Sequence, residues 1–438
     1  MKAKTCILIF LLIFTCCNIE KKPSSDEVKK ILDKYFPATI LETKSAPNYV
    51  PGIEIYIDGS MSCAGFVRDN IGSIGRTKYC NFLRTLRLLL ATKTNVKFFK
   101  FGTMDTPEAI ASSEDAKRLD FYNQMKTKLV ELLESFAGRD NSKLPKTLLV
   151  STDAIPSTLT KKDIIHLIKP ILILINKGYR FQLLGVRSEF NGYVYSEIKG
   201  DATVGWYSSR KYGERPFYCF IFSTDSNFSK SLIDRLPDEK FSTRLLDFSS
   251  RFIEKIIHNF DIPFQLTNKE KNSLRMHSQE NDVVYLWWRR EEISHLGILK
   301  LILDLKFKTE VSNFNICERG ITTNAYSSWL KTGEKVSPNH YRLISYEVSS
   351  NNPKRMEFLF SFDEVKKPGW SAYKILIFPG DGTFCAPKWV DEWSNQSDTS
   401  LKDFHKTLFL KDFVDGVMAG KMNRKKPLFC FYTAIRGR

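Results

Sequence analysis

The sequence predicts an α/β protein, a doubly wound and mostly parallel sheet followed by a β-rich second domain. Between Ile53 and about Leu236, short apolar runs rich in β-branched and aromatic residues alternate with helical patterns, as strands buried on both faces of a parallel sheet do. From about Asn268 the period falls to two. Leu299, Leu301, Leu303, Leu305 and Phe307 alternate with Lys300, Ile302, Asp304, Lys306 and Lys308, the pattern of half-buried antiparallel strands. A length of 438 residues with 33 Phe, 17 Tyr and 7 Trp supplies enough bulk for two or three cores and excludes a disordered chain.

In the first part the expected strands are Ile53–Ile57, Val96–Phe101, Thr147–Ser151, Phe181–Val186 and Phe217–Phe222. The expected helices are Asp26–Tyr35, Asn81–Thr92, Asp120–Phe136, Thr160–Asn176 and Asn227–Arg235. Thr160 with Asp163 forms a capping box, Gly178 closes that helix, and Pro170 inside it removes a donor and predicts a kink. A polar, aromatic insertion runs from Phe190 through Tyr207 to Phe217 and reads as a contact surface. In the second part the strands are Val283–Trp288, Leu299–Phe307, Tyr341–Val348, Met356–Phe362, Tyr373–Phe378 and Leu428–Ala434, with a helical insertion over Leu401–Ala419. This divides the chain into 1–17, a leader; 18–47, a tether and short helix; 48–245, the α/β domain; 246–267, a connecting segment; and 268–438, the β-rich domain.

The leader is an address rather than a structural element. Lys2 and Lys4 precede an apolar run from Ile7 to Phe14 that stops at Thr15-Cys16-Cys17. The run is too short to span a bilayer and has the layout of a secretory signal. A run ending at cysteine resembles the lipobox of bacterial lipoproteins, which implies export to the cell envelope and a lipid anchor on Cys16 or Cys17. Beyond the leader, Cys63, Cys80, Cys219, Cys317, Cys385 and Cys430 are too sparse for a disulfide framework, leaving one or two bridges or buried thiols. No CxxC occurs and the six histidines stand far apart, which argues against zinc. The net charge of +17 comes from Lys and Arg dispersed along the chain; a solvated face fits better than a nucleic-acid site.

The chemistry-bearing residues follow the strands. Asp58-Gly59-Ser60-Met61-Ser62 comes directly after the first strand, and Asp153 closes the strand Thr147–Ser151. Ligands bind at such strand ends in doubly wound sheets, and one βα pair between the two places them side by side. The simpler reading of Asp58, Ser60 and Ser62 is an Asx-turn capping the next helix, and of Asp153 a turn residue.

Together these residues resemble the von Willebrand factor A domain, in which an Asp-x-Ser-x-Ser loop, a threonine loop and a later aspartate form a metal-ion-dependent adhesion site. The resemblance covers about Val50 to Arg244. It implies Mg²⁺, or another divalent ion such as Mn²⁺ or Ca²⁺, with Ser60 and Ser62 as direct ligands and Asp58 and Asp153 holding waters and supplying charge. Thr127 is the chosen threonine, with Thr103 and Thr106 competing. The chain departs from the family at Ala154, where glycine is usual. The resemblance implies no enzymatic activity but a binding protein that grips an acidic side chain of a protein partner, no nucleic acid being expected. The alternatives are a metal-free scaffold of an envelope complex, and a serine hydrolase using Ser60 or Ser62, for which Gly-x-Ser-x-Gly and a nearby base are both missing from the sequence.

Overall fold

A computed structural model describes residues 22–35, 49–93, 95–153, 164–199, 202–225, 228–235, 242–248, 253–263, 274–280, 283–288, 296–307, 315–316, 321–329, 341–352, 354–363, 369–379, 384–421 and 429–437. The leader with Cys16 and Cys17, Ala154, and the capping pair Thr160 and Asp163 lie outside these residues.

The chain is mixed α/β. Its largest sheet has seven strands: β1 (Val50–Asp58), β2 (Val96–Phe101), β3 (Glu108–Ile110), β4 (Pro145–Thr152), β5 (Arg180–Ser188), β8 (Arg215–Ser223) and β9 (Thr243–Asp247), in the order β3-β2-β1-β4-β8-β5-β9. Between β5 and β8 the polar insertion forms a hairpin, β6 (Asn191–Ser196) and β7 (Ala202–Ser208).

Both faces of the large sheet are covered, and the alternation of side chains sorts them. Ile53, Ile55, Ile57, Leu149, Leu184, Val186, Phe217 and Ile221 pack on one side with helices α2 (Lys78–Leu90) and α5 (Phe228–Ile233). Tyr56, Leu148, Val150, Phe181, Leu183, Phe220 and Phe222 pack on the other with α3 (Leu129–Gly138) and α4 (Ile164–Asn176). Thr77 caps α2 by accepting from the Cys80 amide at 3.2 Å. Helix α4 continues through Pro170.

The expectation of a mostly parallel sheet is corrected. Only β1–β2 and β1–β4 pair in parallel, while β2–β3, β4–β8, β8–β5 and β5–β9 are antiparallel. A parallel return from β5 requires a long crossover, but the chain there makes a hairpin and the single helical turn Ser209–Tyr212. Strand β8 therefore comes straight back and inserts between β4 and β5. The expected helix over Asp120–Phe136 is shorter as well: α3 starts at Leu129, and the residues before it form 3₁₀ turns and a loop paired to the β1 loop.

The second part contains a four-stranded sheet, in the order Ile253–Asp261, Leu296–Phe307, Arg355–Asp363, Tyr341–Val348. A five-stranded sheet has the order Leu274–Glu280, Val283–Trp288, Phe429–Gly437, Gly369–Phe378, Thr322–Trp329. They meet through ring contacts such as Phe360 with Phe431 at 5.4 Å and Phe362 with Tyr373 at 5.4 Å. The stretch 246–267, expected only to connect, carries the edge strand Ile253–Asp261. On the outer face of the five-stranded sheet, α1 (Ser25–Tyr35) seats Val28 and Leu32 among Val283, Tyr285, Trp370 and Ala434.

The expected helical insertion over Leu401–Ala419 consists of a 3₁₀ turn (Leu401–His405) and α7 (Leu410–Lys421), and α6 (Lys388–Trp393) precedes it. These leave the β-rich part and pack on the large sheet. Phe413 meets Phe220 at 5.9 Å, and Gly416 and Gly420 face the side chains of Ile168 and Leu172 on α4. A Cβ at either glycine would crowd the tip of the facing side chain, 2.3 Å from Ile168 Cδ1 or 2.4 Å from Leu172 Cδ1.

Candidate functional site

Because β1 and β4 run in parallel as neighbours, their carboxyl ends share one rim. Asp58 is the last residue of β1 and Asp153 follows the last residue of β4; both are buried. The loop after β1 is stitched to its surroundings by backbone bonds: Gly59 N to Phe101 O at 2.8 Å, Met61 N to Gln124 O at 2.8 Å, and Gln124 N to Gly59 O at 3.0 Å. Gly59 leaves room for the Lys100 stem, since a Cβ would lie 2.5 Å from Lys100 Cε.

These loops bring the sequence-predicted residues into one cluster, the rim ring of hydroxyl and carboxylate oxygens, linked in the order Thr127, Asp58, Ser60, Ser62, Asp153. The Ser60 amide donates to Asp58 Oδ1 at 2.9 Å, and the Ser60 and Ser62 hydroxyls lie 2.9 Å apart. Ser62 Oγ donates to Asp153 Oδ1 at 3.2 Å, and Thr127 Oγ1 donates to Asp58 Oδ2 at 2.9 Å. Of the competing threonines, Thr103 instead accepts from the Lys126 amide at 2.9 Å, which positions the loop carrying Thr127, and Thr106 is exposed.

Sequence reasoning missed two members. Thr152 donates to Asp58 Oδ2 at 2.7 Å; its signal was its place at a strand end beside Asp153. Arg215 opens β8 and places Nη2 3.5 Å from Asp153 Oδ2. Only the direction of β8 reveals it, because an antiparallel strand begins on the rim where its neighbours end.

The electrostatics are those of two carboxylates held together out of water. Burial first, and the Asp153 charge second, push the Asp58 carboxyl up to about 6, against the pull of hydrogen bonds from Thr152 and Ser60. Cys63 Sγ joins Asp58 and Asp153 in a buried group whose ligand atoms lie within 4.8 Å of one another. Burial holds the Cys63 thiol well above its ordinary value in the ion-free protein. The hydroxyl and carboxylate oxygens beside it are the donor chemistry of a hard divalent cation.

Beside this ring, between Ser62 and Asp153 on one side and Asp398, Phe404 and Thr407 on the other, lies a cleft of about 50 Å³. The segment containing Asp398–Thr407 is pinned there by Asp398, which accepts from Ser196 Oγ at 2.8 Å and from the Glu197 amide at 2.6 Å. The hydroxyls of Tyr218 and Thr407, 2.6 Å apart, fix its other end.

In comparison with known proteins, no family model matches the chain, and no curated protein matches it at a significant level.

Proposed function

We propose that this chain is a von Willebrand factor A-like binding protein whose rim site takes a divalent cation and, through it, an acidic side chain of a protein partner. The observation that carries the reading is the convergence of Asp58, Ser60, Ser62, Thr127 and Asp153, drawn from three separate loops, into one hydrogen-bonded cluster. Ser60 and Ser62 would offer neutral oxygens, and Asp58 and Asp153 the charge. With few carboxylates on it, the ion supplies an electron-poor position that a partner's carboxylate completes.

Export and lipid anchoring through Cys16 or Cys17 belong to the same proposal. Cys385 is disulfide-bonded, which supports an oxidising compartment. Among the described residues no helix is long and apolar enough to cross a membrane.

A second reading, a metal-free scaffold, is favoured by one observation: the Arg215 guanidinium already lies against Asp153. Thermal unfolding of the full chain with Mg²⁺ or Mn²⁺ separates the two, because an ion that binds only the folded state raises the melting temperature. The cation reading expects a rise in the wild type that Asp58→Ala abolishes. No rise in the wild type supports the scaffold, and a hydrolytic activity that survives chelation but is lost in Ser60→Ala would replace both.

A further inference from the structure

The rim carries a positive charge whose placement needs explaining. The Arg215 side chain is 11% exposed and that of Asp153 is 2% exposed, with Nη2 and Oδ2 3.5 Å apart. Among the described residues, Arg215 Nε and Nη1 are buried without hydrogen-bond partners. The guanidinium is caged by rings: Phe190 at 4.3 Å, and Phe66 and Phe404 at 5.6 Å each. Burying guanidinium donors unpaired is costly, and one long contact to a carboxylate does not offset that cost. The aromatic faces return part of it.

The remaining compensation is the pair of buried carboxylates. Asp58 and Asp153 repel each other, and the second buried cation nearby faces elsewhere: Lys100 Nζ bonds Asn123 Oδ1 at 2.7 Å and lies 5.0 Å from the Phe121 ring centroid. Asp153 is shared, with Oδ1 taken by Ser62 of the candidate cation loop and Oδ2 by Arg215. A guanidinium in that place does part of what a bound cation would do, and it repels any cation that arrives.

We infer that Arg215 is a built-in counter-ion that neutralises Asp153 in the ion-free protein, competes with the divalent cation, and so sets the affinity of the site. The inference rests on the cation reading of the rim. It assigns to Arg215 a control over ion binding that a purely structural arginine would lack.

Calorimetric titration of the full chain with Mn²⁺ tests it, using wild type, Arg215→Met and Arg215→Lys. Methionine keeps an apolar stem among the rings and removes the charge; lysine keeps the charge. The expected result is Mn²⁺ binding at least tenfold tighter in Arg215→Met, with Arg215→Lys close to wild type. Binding in Arg215→Met where the wild type shows none supports the counter-ion role of Arg215 and moves the wild type to the metal-free reading. Unchanged or weaker binding in Arg215→Met, with clear binding in the wild type, overturns the inference and leaves the cation reading standing. Absence of binding in wild type and variants overturns both. Should Arg215→Met fail to fold, Arg215→Gln removes the same charge while keeping a polar head, and carries the same outcomes.

Discussion

Ser62 Oγ donates to Asp153 Oδ1 at 3.2 Å, joining residues 91 positions apart at the ends of two neighbouring parallel strands. If this pair belongs to a cation site, Ser62→Ala should weaken the ion without unfolding the protein. At an ion concentration of about 100 times the wild-type Kd the ion stabilises the fold by about 2.7 kcal/mol; a tenfold weaker variant keeps only about 1.4 kcal/mol. Without ion, the partly buried hydroxyl should cost about 1 kcal/mol or less. Denaturant melts with and without Mg²⁺ measure both quantities, and an undiminished ion effect would remove Ser62 from the ligand set.

The Asp58 carboxyl, raised by burial and by Asp153 to about 6 from 3.8, makes ion-free stability depend on pH. A folded-state value above the unfolded one means that the folded protein binds the proton more tightly. The contribution is therefore fully present below pH 3.8 and is lost as pH rises through about 6. Its size is on the order of 2–3 kcal/mol at roughly 1.4 kcal/mol per unit. In chelator, urea melts of wild type against Asp58→Asn across this window should isolate the slope. Saturating Mg²⁺ should oppose it, since a metal prefers ionised carboxylates. Parallel pH profiles for the two proteins would show that Asp58 does not titrate in this way.

Gly65 lies directly under a ring. A Cβ there would be 2.3 Å from Phe190 Cζ, and Phe190 is fully buried against Phe66 and Tyr207. Gly65→Ala should cost about 1–3 kcal/mol by overpacking. Because Phe190 also faces Arg215, ion binding should change in the same variant. A loss of less than about 0.5 kcal/mol in urea melts would mean that the ring has room to move.

Asp33 ties α1 to the five-stranded sheet. It pairs with Lys374 Nζ at 2.6 Å, and Lys374 is fully buried, while Tyr432 donates to the same oxygen at 2.9 Å. Asp33→Ala should cost about 1–3 kcal/mol, mostly by weakening the pairing of a buried cation. The amides of α1 should exchange faster with solvent in that variant. Unchanged exchange would show that Val28 and Leu32 hold the helix without the ion pair.

The amino-acid pattern revealed the rim better than the sheet. Asp58, Ser60, Ser62 and Asp153 were legible because each sits where an apolar run ends, and strand ends are where a doubly wound sheet exposes polar groups. Thr127 was legible only as one of three choices. The direction of β8 was not legible, since a run such as Phe217–Phe222 reads the same whichever way it points. Arg215 was hidden by the same ambiguity. Nor did the spacing of Gly416 and Gly420 announce that α7 leaves the β-rich part to lie on α4. That contact depends on tertiary placement, which a period of 3.6 does not encode.

The strand Phe429–Gly437 sits in the middle of its sheet, parallel to Val283–Trp288 on one side and antiparallel to Gly369–Phe378 on the other. Until it is delivered, both of those neighbours present bare backbone edges and the seat for α1 is missing its Tyr432 and Ala434. Full docking of α1 therefore waits for a strand far along the chain. Any product clipped before Phe429 would carry open strand edges, a surface that pairs with other chains.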